Sequence, residues 1–506
     1  MELNRREFLQ SAALLPAVTS AAPASFDADF STAQAAAAAI RARKISAEEL
    51  TRYVLQRIGK HNPRLNAIIL LLEREALEQA RRADRALAAG KAPGLLHGVP
   101  VTIKESFEIS GTPCTWGHKE RLQAPSRVNA LVVQRMIDAG AVILGKTNVP
   151  VDLMDWQSDN PIWGASNNPW DLRLTPGGST GGGAAATAAG LGFLTLGSDI
   201  GGSIRVPAHF CGIYGHKPTL NIVPLHGHVT PGGGDGTAAP HDLAVAGPLA
   251  RSAADLKLAL AVCAGPEPED AVGLKWTLPP PRRTRLREFR VGYMFDDKAC
   301  LPSSEVGAVM ESLLSALAKA GVKLERGWPE GIRPADQFYS YGFLLAALVY
   351  SELPEHEVAR RRARPGTDKD PYVTALYQPH REWMKATMER LAARKAWREY
   401  FRTHDVFLTP TAFVPAFAHI PSSREDRKLP TPEGERPYLD MIFYVGPFSF
   451  SGIPATSAPA GRTRSGLPVG VQIAGPWMED GTSIAFAEAL AGAIGGYEPP
   501  PGFGPT

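Results

Sequence analysis

An α/β layered architecture is what this sequence predicts, from three observations. Strand-like and helix-like segments alternate repeatedly along the chain, the pattern of a sheet with helices laid on it. The 506 residues are enough to bury a large core, and such a length allows two to four domains or one large α/β unit. Hydrophobic residues make up 44% and charged residues 21%, the balance of a soluble globular protein and not of a disordered chain.

The first helix signal is Ser46-Ala47-Glu48-Glu49, which has capping-box spacing; Leu50, Val54, Leu55 and Ile58 follow near the helical period. Glu73–Leu87 reads as a helix with alternating charges on its outer face. After Gly98 and Pro100, Val101 and Ile103 alternate with Thr102 and Lys104, so this stretch reads as a strand. Leu131–Ala139 then reads as a helix and Ala141–Leu144 as a buried strand. A long Asn-, Pro- and Gly-rich loop is predicted over Asn167–Gly183. Ala184–Ala189 continues it as a helix of small residues, able to lie close to neighbouring backbone because nothing projects from it. Phe193–Leu196 reads as a strand ended by Gly197. Pro266–Arg287, with Pro279-Pro280-Pro281 inside it, reads as a surface connection and not a domain boundary. Met310–Ala320 and Glu382–Tyr400 read as helices, Val406–Leu408 and Val469–Ile473 as strands. No repeat of solenoid period is found.

Charge and composition exclude several roles. With 54 basic and 51 acidic side chains the formal charge is +3, which gives no electrostatic reason to expect nucleic acid. No apolar run is long enough to span a bilayer, so stable membrane insertion is not expected. Cys114, Cys211, Cys263 and Cys300 are scattered without a C-x-x-C pair and read as buried thiols, not a disulfide framework. The first 24 residues differ from the rest. Arg5-Arg6 is followed by Phe8-Leu9, then an Ala-rich, weakly apolar stretch, then the small-residue site Ala22-Pro23-Ala24. This order resembles a twin-arginine export signal and implies a periplasmic or extracellular protein, with residues 25–506 as one domain.

The chemistry concentrates in Thr175-Pro176-Gly177-Gly178-Ser179-Thr180-Gly181-Gly182-Gly183 and in Asp199-Ile200-Gly201-Gly202-Ser203-Ile204-Arg205. Glycine permits tight turns and close approach of a substrate to backbone N–H groups. A run such as Ile200-Gly201-Gly202-Ser203 can aim successive N–H groups at one point, the geometry of an oxyanion hole. A serine hydroxyl needs a base to take its proton. The candidate is Lys104 at the end of an apolar strand, because a lysine acts as a base only when neutral, and burial favours that form.

Together these segments resemble the amidase signature family. The resemblance rests on Gly98-Val99-Pro100-Val101-Thr102-Ile103-Lys104-Glu105, the glycine-serine loop and the turn at Ser203. Gly145-Lys146-Thr147-Asn148-Val149-Pro150, Asn168-Pro169-Trp170, Phe210-Cys211-Gly212, His216-Lys217-Pro218-Thr219, Gly452-Ile453-Pro454-Ala455 and Gly466–Gln472 carry it further, over roughly residues 30–500. It implies a large, mixed, twisted central β-sheet covered on both sides by α-helices. The signature core would fall at about 96–265, a variable substrate-pocket region at about 300–400, and a return to the core at about 403–500. It implies a Ser–cis-Ser–Lys triad at Ser203, Ser179 and Lys104, with Ser203 the nucleophile, Ser179 the proton relay and Lys104 the base. The oxyanion donors would be the N–H groups of Ile200, Gly201, Gly202 and Ser203. Gly178, Thr180, Asp199 and Arg205 take supporting places. The chain departs from the family pattern at Thr180, where a second serine is usual, at Glu105-Ser106, where Asp-Asn is common, and at His216, where leucine is usual. None of these is one of the three proposed catalytic residues.

Amide hydrolysis through an acyl-enzyme is therefore expected, with a small-molecule amide and water as partners and neither metal nor organic cofactor. His226-Gly227-His228 could form half a metal site, but two histidines in a Gly/Pro-rich loop are more often surface residues. A hydrophobic or aryl amide is the expected substrate, with esters and carbamates as secondary substrates. The aromatic segment Tyr339–Tyr350 reads either as a pocket wall or as a buried helix, and Met154, Trp156 and Trp163 lie beside the expected site. Rival readings are an α/β-hydrolase elbow with Ser179 as nucleophile, which demands a strand just before it, and a partner protein like the amidotransferase subunit. A homodimer is compatible with the sequence.

Overall fold

Eleven strands among the described residues join in a single mixed sheet. The computed structural model describes residues 26–228, 242–351, 353–424 and 426–504. The export-signal-like segment at 1–24 lies outside the described residues. In spatial order the strands are β1 (Ile68–Leu71), β3 (Val142–Thr147), β2 (Pro100–Lys104), β4 (Leu194–Asp199), β6 (Val245–Ala250), β5 (Tyr214–Lys217), β12 (Ala455–Arg462), β13 (Pro468–Ala474), β9 (Val406–Pro410), β7 (Arg290–Tyr293) and β8 (Lys323–Arg326). A separate hairpin pairs β10 (Lys428–Thr431) with β11 (Gly434–Pro437). Within the sheet, β2 runs parallel to both β3 and β4, and β9, β7 and β8 form a second parallel group. The centre is antiparallel.

Helices flank this sheet. Glu73–Ala88 packs on β3, Gly181–Ala188 on β2, β3, β4 and β6, Arg205–Cys211 on β5, β12 and β13, and Asp480–Ile494 on β12. The capping box at Ser46 is formed: the Ser46 hydroxyl accepts from the Glu49 N–H at 3.0 Å, and Glu49 accepts from the Ser46 N–H at 2.8 Å. The helix it starts runs over Ala47–Leu65. All four cysteines are buried and free. Among the described residues no helix is long and apolar enough to cross a membrane.

Of the boundaries that differ from the sequence reading, three have a physical reason in the packing or capping. The small-residue helix begins at Gly181 and not at Ala184, despite the poor helix propensity of its glycines. Packing explains it: a Cβ on Gly182 would lie 2.5 Å from the Asn148 nitrogen, so only glycine lets this turn seat against the backbone. Gly197 does not end its strand, which continues to Asp199. Its missing side chain admits the Thr180 methyl, which a Cβ would meet at 2.7 Å. The helix expected from Met310 starts at Ser304, because Ser303 caps it by accepting from the Val306 N–H at 3.4 Å.

The topology then places the site. Because β2 and β4 are parallel neighbours, with Ile103 opposite Leu196, their carboxyl ends emerge side by side. Lys104 ends one strand; Ser198 and Asp199 end the other. Ligand sites in parallel sheets form outside such ends. A second apolar cluster lies apart from the main core and includes Trp397, wholly buried, with Phe401, Phe407 and Phe448 around its indole.

Candidate active site

Lys104 is 0% exposed, and burial brings its ammonium down to about 7, against the pull of Asp199 and Glu105, which favour the charge. Its Nζ lies 2.7 Å from the Ser179 hydroxyl and 2.9 Å from the Ser198 hydroxyl. Ser179 is buried, and the Gly178–Ser179 peptide bond is cis. A Cβ on Gly178 would lie 2.3 Å from the Asp155 carbonyl oxygen, so the chain cannot carry a side chain there. The next N–H, that of Thr180, donates to the Ser203 carbonyl at 3.2 Å. Lys104 thus contacts Ser179 directly, while Ser203, from a separate loop, is tied to that segment through its backbone carbonyl. Ser203 is partly exposed at the head of helix Arg205–Cys211.

The turn before Ser203 is built on a buried ion pair. Asp199 and Arg205 are both wholly buried. Asp199 accepts from Arg205 at 2.7 and 3.0 Å, from the Gly202 N–H at 2.9 Å and from the Ile204 N–H at 3.0 Å. Burial alone would raise this carboxyl; the Arg205 guanidinium and the Ile204 N–H overcome it and hold it at about 2. Arg205 also donates to Gln472 at 2.6 Å, Ser449 at 2.8 Å and the Val445 carbonyl at 2.9 Å. Removing one partner of such a pair leaves a buried charge, so Arg205→Met is expected to lower stability by about 3–5 kcal/mol. Denaturant unfolding at neutral pH checks this. In the wild type the Asp199 contribution is present above the usual carboxylate range and is lost as the pH falls from about 4 to 2.

The four expected oxyanion donors separate into two kinds. The Gly202 N–H is drawn to Asp199, where Gly202 takes a positive φ of 94°. That aims it at the carboxylate and away from its neighbours, a difference from the sequence reading of four convergent donors. The N–H groups of Ile200, Gly201 and Ser203 make no hydrogen bond to the described residues. On the other side the turn's carbonyls are held: the Trp156 indole N–H donates to Gly201 at 2.8 Å and the Tyr341 hydroxyl to Ile200 at 3.2 Å.

Trp156 therefore reaches the nucleophile turn. Met154 instead turns its carbonyl to Arg424 at 3.0 Å, and the Trp163 carbonyl accepts from Asn66 at 2.6 Å. Tyr341 belongs to the expected aromatic segment, which is a helix over Pro334–Val349. Tyr438 was not singled out by the sequence; its hydroxyl lies against Asp155 and Trp156, with Arg427 completing the ion pair to Asp155 at 2.6 Å. Ile442 is a further unanticipated neighbour, 3.1 Å from the place a Gly201 Cβ would take. No local motif marks Tyr438 or Ile442. The two histidines of His226-Gly227-His228 part: His226 is exposed, while His228 is buried beside Ser198, contrary to a surface reading of both. Among the described residues no group of three or more His, Cys, Asp or Glu could hold a metal ion. No strand precedes Ser179; residues 175–180 are loop, which the elbow reading does not allow.

The Amidase family model matches residues 49–483. An indoleacetamide hydrolase of Bradyrhizobium diazoefficiens is 33% identical over 449 residues, covering 88% of this chain and 83% of that one. An acylamidase of Rhodococcus erythropolis is 30% identical over 464 residues, covering 89% and 93%. The crystal structure of a bacterial aryl acylamidase of the amidase signature family superposes with a TM-score of 0.77 at 22% identity, over 92% of this chain and 96% of that one, and so shares the fold. The chain belongs to the amidase family, the amidase signature enzymes, whose reaction is the hydrolysis of amide carbon–nitrogen bonds.

Proposed function

We propose that this enzyme hydrolyses hydrophobic or aryl-containing amides through an acyl-enzyme on Ser203, with Ser179 and Lys104 as its proton relay. The observation that carries the reading is the 2.7 Å contact between Lys104 and Ser179, on a segment whose next N–H is anchored to Ser203. In this scheme the Ser203 oxygen attacks the carbonyl carbon. Its proton passes to Ser179 as the Ser179 proton passes to the neutral Lys104 amine. Lys104 returns a proton through Ser179 to the leaving nitrogen, and the carbon–nitrogen bond breaks. Water then attacks the ester, the same relay accepting its proton and returning it to the Ser203 oxygen as the ester bond breaks and the carboxylic acid leaves. The N–H groups of Ile200, Gly201 and Ser203 remain to stabilise the oxyanion.

The walls favour an apolar acyl or amine group. Tyr341, Ile442 and Trp156 pack around the nucleophile turn, and each is at least nine-tenths buried. The Asp155 carboxylate beside the Tyr438 hydroxyl is neutralised by its ion pair with Arg427. An aryl anilide is accordingly expected to exceed malonamate in kcat/KM by roughly tenfold or more, from the apolar area each buries. The purified chain without a partner is the enzyme to assay. A preference for malonamate would overturn the substrate class, and dependence on a second protein would favour an amidotransferase-like role. The twin-arginine pattern supports export; retention of a reporter fused to residues 1–30 in the cytoplasm would refute it.

A further inference from the structure

A second buried group stands behind Lys104 and takes no part in the relay above. Ser198 lies at the end of β4, and its hydroxyl contacts Lys104 Nζ at 2.9 Å on one side and His228 Nε2 at 2.9 Å on the other. His228 Nε2 also lies 3.1 Å from the Ser106 hydroxyl. The imidazole is 4% exposed and is fixed in place by its neighbours. Phe107 meets its ring at 4.6 Å and Trp116 at 5.3 Å, both nearly edge-on. The His228 backbone N–H is held by the Leu225 carbonyl at 2.8 Å.

The direction of these hydrogen bonds matters. A neutral lysine amine has two hydrogens and one lone pair, and it must present the lone pair to Ser179 to accept a proton. Ser198 can spoil that arrangement, because a hydroxyl either accepts from the amine or donates to its lone pair. If Ser198 directs its own hydrogen to His228 Nε2, its oxygen is left to accept from Lys104. The lone pair then has Ser179 as its partner.

We propose that His228 is a positioning residue for amide hydrolysis: by accepting the Ser198 hydrogen it fixes the polarity of the Lys104 contacts and leaves the lysine lone pair facing Ser179. This rests on the reading of Lys104 as the base. Of the residues named around the imidazole, Ser106, Phe107, Trp116 and Ser198, it is the Ser198 hydroxyl that also contacts Lys104 Nζ, and the proposed effect runs through it.

The test compares His228→Leu, His228→Gln, Ser198→Ala and the double variant with wild type, each by kcat/KM across pH. His228→Leu is expected to lower the plateau by roughly tenfold to a hundredfold, less than the roughly 10²–10⁴-fold a positioned base contributes, because the base itself is retained. It is also expected to move the acidic limb to lower pH, because a freed Ser198 hydroxyl donates to the lone pair and so favours the neutral amine. The charged groups on the packed elements, Lys104, Glu105 and Glu108 beside β2 and Asp199 on β4, are all retained in these variants. A glutamine side chain offers its amide carbonyl oxygen in place of Nε2, so His228→Gln should recover most of the loss. With Ser198→Ala as background, adding His228→Leu should change little, since the route between them is gone. A His228→Leu enzyme with wild-type plateau and limb would overturn the proposal. So would equal losses in His228→Leu and His228→Gln with an unmoved limb, or fully additive losses in the double variant. Should His228→Leu fail to fold, His228→Gln and Ser198→Ala alone decide: a limb unmoved in Ser198→Ala refutes the proposal. Ser203→Ala and Lys104→Met, run alongside, separate this failure from failure of the triad reading, because full activity in either would remove that reading itself.

Discussion

Ser203→Ala is expected to lower kcat/KM for an aryl amide by about four to six orders of magnitude, with little change in stability. The loss is large because no other hydroxyl takes its place. Ser179 is buried and already engaged by Lys104, whereas Ser203 is partly exposed at the end of the turn that carries the unengaged N–H groups. Stability should hold because the turn depends on Asp199 and Arg205, and not on the Ser203 hydroxyl. The variant should also lose labelling by a fluorophosphonate probe, mapped on wild type to the peptide containing Ser203. Labelling of Ser179 in the wild type, or substantial activity in Ser203→Ala, would move the nucleophile. Parallel unfolding curves distinguish chemical loss from collapse.

Ser179 and Ser203 stood out because each sits in a short, glycine-bounded motif and Lys104 because it ends an apolar strand, while their proposed roles came from the family resemblance. Glycine at Gly178, Gly182 and Gly202 is demanded by backbone close approach or by a positive φ, and such demands leave a mark in the sequence itself. The order of strands and helices was legible from periodicity for the same reason: the information is local. What escaped was contributed across the chain. Gln472 reaches Arg205 from 267 positions away, and Tyr438 reaches Asp155 from 283. Their polar atoms are buried and paired only because the sheet brings β13 and the segment before helix Ile442–Ser451 to the nucleophile turn. Before folding, nothing distinguishes Tyr438 from a surface tyrosine. His228 was misread on similar grounds. A Gly/Pro-rich neighbourhood indicates a loop, and loops lie at the surface on average, but this one is anchored by an isolated bridge to Phe107 and drops its imidazole inward. Gly197 shows the converse error, where a residue that usually ends a strand serves to admit a neighbour.

Lys104→Met carries the second large effect, and it separates the lysine's chemistry from its packing. Methionine is unbranched and of similar length, so it fills the same buried space without a titrating group. Kinetically, kcat/KM is expected to fall by about a thousandfold, near the middle of the range for a lost general base. In the wild type the amine is the base only when neutral, and burial places its titration at about 7. Below that value the active fraction falls tenfold per pH unit, and above it the profile levels off. The residual activity of Lys104→Met should show no such limb. Stability moves in the opposite sense. The folded-state value lies below the ordinary 10.5, so between about 7 and 10.5 the unfolded chain binds more protons than the native one. The penalty of burying the cation is therefore complete below about 7 and is relieved as the pH rises toward 10.5. Lys104→Met removes that penalty. Its Tm relative to wild type should be highest near pH 6 and should decline toward pH 10, while its activity stays low throughout. An enzyme that loses activity and stability together at pH 6 would show a lysine held charged and structural. Greater stability with the limb abolished is the signature of a buried amine kept for its lone pair.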